Sequence, residues 1–389
     1  MVATLPGRTQ GLGLITEPLL ADLRLDRVSY ASMNLWATLL GAVVCLPTGW
    51  AIDRLGLRWV SLAVLLSLGF TVWQFSLLTS SAAVFILLLA TRAFGQSSLS
   101  VCSIAAVARW FPNRAGFAMG VYSVLLSVLF AGAFGGIGYA VRVNGWRWAW
   151  TQIALGLLVG IAPLAVLVLR KPPPGLAAKG SVSDRPGGLE LTLFQALRTR
   201  AFWAFAGAAA AFNTVSSGLG LFNEAVLQER GFDQKTFHMF LVVCSLISLA
   251  GQLGCGWLTR RYRYQTLTFL ALILYAAGLG LIPVITQHWQ LWGLALLLGG
   301  AGGMIIVVFF SVWSDFFGQR HLGRIQGTAQ MITVISSGLG PVLFARCEEV
   351  SGSYGPLLWT ISIAVFLLAF VARAVPPPGN RDANLKAVG

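Results

Sequence analysis

Twelve apolar runs, each close to the roughly 20 residues that a helix needs to cross a bilayer, occupy most of the sequence. Charged, proline and glycine clusters separate the runs and indicate where each span ends. The predicted spans, numbered one to twelve, are residues 2–22, 30–51, 59–79, 83–108, 115–141, 147–169, 201–227, 236–258, 265–285, 288–314, 323–346 and 354–374. We therefore predict an all-α integral membrane protein with twelve transmembrane helices.

The composition excludes the soluble alternatives. Hydrophobic residues make up 57% of the chain and charged residues only 10%, against about 25% charged residues in a typical soluble domain. The net charge of +14 comes from short basic clusters between apolar runs, whereas nucleic-acid binding requires a continuous basic face. These features exclude a soluble globular protein, a disordered chain and a nucleic-acid-binding domain.

One connection differs from the others in composition. Residues 170–200 contain KPPPG, several serines and glycines, and charges of both signs, which is typical of a solvated linker. This linker divides the chain into a six-helix bundle at 1–169, a second bundle at 201–374 and a tail at 375–389. Lys and Arg concentrate in the loops on the linker's side of the membrane, which predicts that both termini are cytoplasmic.

The two halves repeat one another with an offset of 207 residues. GLGLITEPLLADLRLD, starting at Gly11, aligns with GLGLFNEAVLQERGFD, starting at Gly218, and Gly49–Trp50 aligns with Gly256–Trp257. Duplicated six-span halves are typical of transporters whose binding site lies between the halves near the bilayer midplane. The repeat therefore predicts two pseudo-symmetric bundles and transport by alternating access.

Span one is shorter than span seven ahead of the shared glycine motif. Either the first helix is truncated or it is naturally short. The offset aligns Arg8 with Val215, near the middle of span seven. A restored span one would place Arg8 at the depth of a central cavity, whereas in a short helix its side chain would reach the membrane surface.

The segment between spans two and three reads GWAIDRLGLR, the pattern G-x-x-x-D-R-x-G-x-R. Together with twelve spans in two sets of six, this pattern resembles the signature loop of the major facilitator superfamily. The resemblance implies a cytoplasmic latch of the outward-open state, in which an acid meets the N-terminus of a neighbouring helix and an arginine pairs across the cytoplasmic face. The latch residues here would be Gly49, Asp53, Arg54, Gly56 and Arg58. In the second half Arg260 takes the place of Asp53, so the resemblance confines the latch to the first half.

Further motifs extend the resemblance. LLATRAFGQ in span four is similar to the family pattern L-x-x-x-R-x-x-Q-G with its last two residues exchanged, which puts Arg92 at the family's intramembrane arginine. RWFPNRAGFAMG and FFGQRHLGRIQG resemble loops of the branch that contains monocarboxylate and oxalate–formate carriers. Unlike some carriers of that branch, this chain has no Lys or Arg at 236–257 or 325–345. AGAFGGIG in span five has the glycines of the family's drug antiporters without their proline.

The resemblance implies a cavity lined by spans one, four, seven and ten, so Arg8 and Arg92 are candidate anion-binding residues. A charged side chain near the bilayer centre costs about 2.5–3.5 kcal/mol, which favours a functional role for each. Arg92 has a structural alternative, in which it binds backbone carbonyls. Further candidates that would hydrogen-bond the substrate, or alternatively make ordinary interhelical contacts, are Gln10, Gln96, Tyr122, Asn213 and Gln330.

Two acids occupy equivalent positions of the repeat. Glu17 and Glu224 lie toward the outer ends of spans one and seven. A half-buried carboxylate at such a position can take up and release a proton during a transport cycle. The alternative is a structural pair of acids at an outer gate.

The sequence contains no GxxxxGK[ST] phosphate loop and no HExxH or GxSxG motif. We therefore predict a secondary active transporter, not an enzyme, that moves a small organic anion such as a monocarboxylate and is coupled to protons. The alternatives are a proton-coupled exporter of drugs or other lipophilic compounds, and a non-transporting sensor on the same fold. We expect no cofactor and no metal. The expected partners are the small-molecule substrate, protons and the lipids of the inner (plasma) membrane, and we expect the monomer to be functional.

Overall fold

The computed structural model describes residues 1–25, 27–111, 115–169, 190–232 and 234–376. Within these ranges the chain is helical and contains no β-strand. Most of the predicted linker, at 170–189, and most of the predicted tail, at 377–389, lie outside the described residues.

Helical segments coincide with all twelve predicted spans. Their bounds, in chain order, are Val2–Gly7 (a 3₁₀ helix), Thr9–Gly13 and Thr16–Leu23 for span one; Arg27–Val43 and Cys45–Leu55; Leu57–Ser76; Val84–Thr91, Arg92–Leu99 (a π-helix) and Ser100–Trp110; Ala115–Asn144; Trp146–Leu155, Gly156–Ile161 (a π-helix) and Ala162–Val168; Arg200–Gln228; Gln234–Leu258; Tyr264–Leu281; His288–Phe317; Leu322–Ser351; and Gly355–Ala374 for span twelve. By length and composition, ten helices of the described chain can cross a membrane. The all-α, twelve-span prediction is confirmed.

The chain forms two compact units, whose boundaries cut through spans five and eleven. The first unit holds Met1–Trp110, Leu125–Lys179 and Arg320–Ile335. The second unit holds Phe111–Val124, Gly180–Gln319 and Ser336–Gly389. The start of span eleven therefore packs with the first unit, and the start of span five packs with the second.

Large apolar side chains fill the core of each unit. In the first unit Trp150 and Phe75 are fully buried, and the Phe75 ring meets the Trp146 ring edge to face with centroids 6.4 Å apart. In the second unit Phe202 of span seven packs against Trp313 of span ten, with ring centroids 5.4 Å apart. Aromatic pairs in such tilted and edge-to-face arrangements stabilise a core beyond their buried area.

Many large apolar side chains lie on the outside of the helices. Tryptophans more than 55% exposed include Trp36, Trp59, Trp203, Trp257 and Trp289. Soluble monomers rarely expose so much contiguous apolar surface, whereas a bilayer covers it and favours tryptophan at its interfaces. The surface chemistry therefore agrees with a membrane location.

The repeat extends to individual hydrogen bonds at the start of the last span of each half. The Trp146 Nε1–H donates to Asp22 Oδ2 at 2.7 Å within the first unit. At the same positions 207 residues later, the Ser353 hydroxyl donates to Glu229 Oε2 at 3.1 Å within the second unit. Both contacts join the end of the first span of a half to the start of its sixth, so the duplication is visible in the packing.

Spans one and four of the first unit are both interrupted. Span one leaves helical geometry at Arg8, whose backbone is extended with φ −96° and ψ 152°. Span four widens into a π-helix at Arg92–Leu99, a rare conformation that is frequent at functional sites. Gly7 lies directly against this widened turn, since a Cβ on Gly7 would be only 2.9 Å from Gly95 Cα.

Candidate functional site

Arg92 lies at the centre of a buried polar cluster in the first unit. Its side chain is 1% exposed. Its Nε and Nη2 groups donate to Asn34 Oδ1 at 3.2 and 2.7 Å, and its Nη1 donates to the Gly7 carbonyl at 3.1 Å and to Gln96 Oε1 at 2.6 Å. The guanidinium therefore links spans one, two and four through oxygen acceptors, as a buried charge requires.

The interruptions of spans one and four make this cluster possible. The chain turns into extended geometry after Gly7, where the Gly7 carbonyl accepts from Arg92. Arg92 and Gln96 lie four residues apart in span four, on the same face of the helix, and their side chains are in direct contact. Small residues allow the close approach of the two spans, because Gly7 and Gly95 pack backbone to backbone.

Arg8 lies beside this cluster and is half-buried. Its Nε donates to Thr4 Oγ1 at 2.8 Å, and its Nη2 contacts Ser100 Oγ at 3.3 Å. The guanidinium carbon lies 5.5 Å from the centroid of the Phe130 ring of span five, a distance typical of a cation–π contact. Thr4, Ser100 and Phe130 thus help to orient the Arg8 side chain, which retains partial exposure.

The second half of the chain lacks the polar residues of this cluster. At the positions that correspond to Arg8, Arg92 and Gln96 by the offset of 207 residues, the sequence has Val215, Gly299 and Gly303. Gly299 and Gly303 instead pack against the backbone of span eight; a Cβ on Gly299 would be 2.6 Å from the Cys244 carbonyl. At the position of Arg92 the second unit thus packs through a glycine in close backbone contact.

Three further predicted site residues lie elsewhere. Tyr122 belongs to the second unit, where its ring meets Phe310 with centroids 6.0 Å apart. Asn213, also in the second unit, donates to the Ala209 carbonyl of its own helix at 2.8 Å. Gln330 is half-buried in the part of span eleven that belongs to the first unit.

The side chains of Gln10, Glu17 and Glu224 lie outside the described part of the structure. Their backbones are helical, in spans one and seven. Their roles in substrate binding and proton coupling stay predictions.

Asp53 joins spans two, four and eleven within the first unit. Its side chain is 3% exposed. It accepts hydrogen bonds from the backbone N–H groups of Gly323 and Arg324 at 3.0 Å each and from Arg109 Nη2 at 3.0 Å. The carboxylate therefore caps the N-terminus of span eleven, where the helix dipole favours a negative charge.

The other residues of the signature loop lie around this contact. Gly49 packs against Gly323, so that a Cβ at Gly49 would collide with the Gly323 carbonyl. Gly56 starts span three with φ +86°, a conformation that L side chains rarely adopt. Arg54 and Arg58 stack on Trp50 and Trp59, at 5.1 and 5.3 Å from the ring centroids. The arginines recorded as ion-pair partners of Asp53 are Arg109 and Arg324.

Several residues of these contacts were not singled out by sequence reasoning. Asn34 is a lone amide in the apolar run of span two, and this isolation is the signal that could have identified it. Phe130 carries no such signal, because span five contains several aromatic residues. Arg109 and Arg324 stand out only as basic residues at loop edges.

An open groove of about 400 Å³ lies within the first unit. Its walls belong to spans two and four and comprise Ser29, Ser32, Met33, Trp36 and Phe85. None of the predicted site residues lines it.

Comparison with known proteins identifies the family. Residues 7–341 match the Major Facilitator Superfamily. The class E tetracycline resistance protein of Escherichia coli is 25% identical over 129 residues, which cover 33% of this chain and 32% of that protein. Monocarboxylate transporter 13 of Rattus norvegicus is 30% identical over 132 residues, 33% of this chain and 31% of that protein. The chain thus spans about a third of the length of these two relatives.

Solved structures share the fold over almost the whole chain. The human organic anion transporter TETRAN has a TM-score of 0.70 at 18% identity, and the match covers 95% of this chain and 96% of the TETRAN chain. The Escherichia coli fucose:proton symporter has a TM-score of 0.69 at 14% identity, and the match covers 96% of this chain and 97% of the symporter chain. The proteins of this family are transporters and not enzymes, as the sequence predicts. From its matched residues, its fold and its signature loop, this chain belongs to the Major Facilitator Superfamily.

Proposed function

We propose that this protein is a secondary active transporter that moves a small organic anion across the membrane by alternating access. The observation that carries the proposal is Arg8: a half-buried guanidinium in the interrupted part of span one, oriented by Thr4, Ser100 and Phe130. A guanidinium presents a fork of N–H donors that matches the two oxygens of a carboxylate. Arg8 would therefore bind the anionic group of the substrate.

The two arginines have different roles in this proposal. Arg92 is buried and donates to Asn34, Gly7 and Gln96, so it positions the spans. Arg8 is partly exposed, and its guanidinium donates to the hydroxyl groups of Thr4 and Ser100. An incoming carboxylate would bind its exposed N–H groups. Gln10, Gln96, Tyr122, Asn213 and Gln330 remain candidate substrate contacts.

A single positive charge suits a substrate with a single negative charge. The second half has Val215 and Gly299 where the first has Arg8 and Arg92, and spans eight and eleven contain no Lys or Arg at 236–257 or 325–345. Arg92 donates four hydrogen bonds within the protein, whereas Arg8 is only half-buried, so Arg8 is the cation proposed to bind the substrate. A monocarboxylate fits this balance, and similarity to monocarboxylate transporter 13 supports it.

The remaining parts of the cycle follow from the predicted residues. Glu17 and Glu224 would take up and release protons, or form an outer gate. The Asp53 contact with the start of span eleven would act as the cytoplasmic latch. The protein would lie in the inner (plasma) membrane with both termini in the cytoplasm and would function as a monomer.

A second candidate function is proton-coupled export of drugs or other lipophilic compounds. Similarity to the class E tetracycline resistance protein favours it. A lipophilic cation would be repelled by Arg8, so the two candidates predict opposite effects of removing this charge.

Uptake into proteoliposomes under an imposed pH gradient tests the proposal. Labelled small carboxylates are compared with lipophilic cations for the native protein, Arg8→Ala and Arg8→Lys. Arg24→Ala is the matched control, because Arg24 is an exposed arginine at the end of the same span. We expect carboxylate uptake that follows the gradient, falls at least tenfold in Arg8→Ala and is unchanged in Arg24→Ala.

Two results would contradict the anion proposal. Cation flux that persists or rises in Arg8→Ala would establish the drug exporter instead. Carboxylate flux that is equally reduced in Arg24→Ala would show that Arg8 acts only through general surface charge.

A further inference from the structure

Arg260 makes an aromatic contact at the start of span five. Its guanidinium carbon lies 4.2 Å from the centroid of the Phe117 ring. Both residues belong to the second unit, Arg260 directly after span eight and Phe117 in the first turn of span five. The contact thus joins a helix of the first sequence half to a helix of the second.

This contact is the repeat-related counterpart of the Asp53–Arg324 pair. The offset of 207 residues carries Asp53 onto Arg260 and carries Phe117 onto Arg324. In the first unit Asp53 and Arg324 lie 3.7 Å apart. The same two positions of the repeat are therefore in contact in both units. They hold an acid and a base in the first unit, and a base and an aromatic ring in the second.

The glycines beneath the two contacts repeat in the same way. In the first unit Gly327 of span eleven packs on Gly49 of span two, with a Cβ on Gly327 3.5 Å from Gly49 Cα. In the second unit Gly120 of span five packs on Gly256 of span eight, with the corresponding distance 3.0 Å. The offset of 207 residues carries Gly49 onto Gly256 and Gly120 onto Gly327. Each unit thus has a glycine–glycine backbone contact with a polar contact next to it.

The two contacts meet the start of the neighbouring helix in different ways. A helix N-terminus carries exposed N–H groups and a partial positive charge, which stabilise a carboxylate and repel a cation. Asp53 can accept from these N–H groups in span eleven. Arg260 cannot accept from the start of span five, and it lies instead on the π face of Phe117, which attracts a cation. The ring is 38% exposed, so this contact is weaker than the buried one at Asp53.

We propose that Arg260 and Phe117 form a second closure contact, between spans five and eight, that acts with the Asp53 latch to hold the predicted cytoplasmic ends of these spans together. Both contacts must break when those ends separate during alternating access. Arg260 and Phe117 are positioning residues: they bias the conformational equilibrium and do not touch the substrate. The proposal rests on transport by alternating access and is independent of whether the substrate is an anion.

Distances between spin labels test it without any substrate. Nitroxides are attached at Phe111→Cys and Tyr262→Cys, two exposed positions next to the contact, after the partly exposed Cys244 and Cys347 are replaced by Ser. Pulsed electron resonance on the full chain in nanodiscs gives the populations at short and long distance. The variants are Arg260→Ala, Phe117→Ala, their double variant, and Arg260→Asp with Phe117→Arg, which copies the residue types of the first unit.

We expect each single alanine variant to raise the ratio of long to short distances by about two- to fivefold, as expected for loss of an exposed cation–π contact. The double variant should shift the ratio no further than either single variant, and the copied acid–base pair should lower the ratio. Arg260→Lys, which keeps the charge, should lie between native and Arg260→Ala and serves if the alanine variant does not fold.

Arg261→Ala is the matched control, because it removes the same charge from the adjacent exposed residue. An equal shift in Arg261→Ala, additive shifts in the double variant, or no shift in Phe117→Ala would each overturn the closure contact. Failure of carboxylate uptake would leave this measurement unchanged, so the two proposals fail separately.

Discussion

Asn34 Oδ1 accepts two hydrogen bonds from the guanidinium of Arg92, at 3.2 and 2.7 Å. One neutral amide oxygen of span two thus faces the positive charge of span four, and no carboxylate is among the recorded partners of Arg92 in the described residues. Neutral acceptors satisfy the donors of Arg92 and leave its charge in place. Oxygen acceptors from spans one, two and four thus hold the Arg92 guanidinium in place.

Asn34→Ala is expected to destabilise the protein. It removes the acceptor of two charged donors at a buried site, and loss of a hydrogen bond to a charged group costs about 1.5–3 kcal/mol. The thermal midpoint of the detergent-solubilised protein, followed by the fluorescence of its 14 tryptophans, should fall. Asn34→Asp keeps an acceptor and is the control; a midpoint that falls equally in both variants would show that the amide is not needed as an acceptor for Arg92.

Lysine substitutions should separate the two arginines. Arg92→Lys replaces a planar fork with a point charge, which cannot reach Asn34, Gly7 and Gln96 in the same geometry, so the thermal midpoint should fall. Arg8→Lys keeps a charge near the Phe130 ring at a partly exposed position, so the midpoint should change little. If the two variants lose stability to the same extent, the division into a positioning and a binding arginine is wrong.

Asp53→Asn should cost far more stability than loss of a surface acid. The variant loses the charge that Arg109 and the start of span eleven stabilise, and a charge-assisted hydrogen bond is worth about 1.5–3 kcal/mol. Glu349→Gln is the comparison, because Glu349 is 64% exposed in its pair with Arg346 and such pairs contribute at most about 1 kcal/mol. Midpoints measured side by side check the difference; equal losses would contradict a capping role for Asp53.

Gly49→Ala should be poorly tolerated, whereas Gly132→Ala should not. A Cβ on Gly49 would collide with the Gly323 carbonyl, while a Cβ on Gly132 would meet nothing within 4 Å. In an open helical position Ala is favoured over Gly by about 0.8–1 kcal/mol. The yield of monodisperse protein and the thermal midpoint should therefore fall for Gly49→Ala and hold or rise for Gly132→Ala. The opposite order would mean that spans two and eleven are not in close contact.

The sequence predicted the span positions well because apolar run length is a local property. Breaks at charged, proline and glycine clusters located all twelve spans. The repeat register aligned Gly49 with Gly256, but it did not reveal that Gly49 packs against Gly323. Local pattern does not reveal which distant acceptor a buried cation will find. Asn34 lies 58 residues from Arg92, and only the tertiary packing of spans two and four brings the two side chains together.

The partners of Asp53 illustrate the same limit. Arg54 and Arg58 are near it in sequence, but they lie on adjacent tryptophans. Arg109 and Arg324 come from spans four and eleven. A sequence motif identifies the acid, whereas its counter-charges depend on which helix ends converge.

The π-helix of span four changes how that helix must be drawn. Each extra residue accommodated in a turn rotates everything after it by about 100° relative to a regular helix with 3.6 residues per turn. A helical-wheel projection of Val84–Trp110 as one uniform helix therefore assigns Ser100 and the residues beyond it to the wrong face. Scanning mutagenesis of span four must therefore assign the helix faces separately for the residues before Arg92 and for those after Leu99. A single assignment would misidentify the residues that face Arg8.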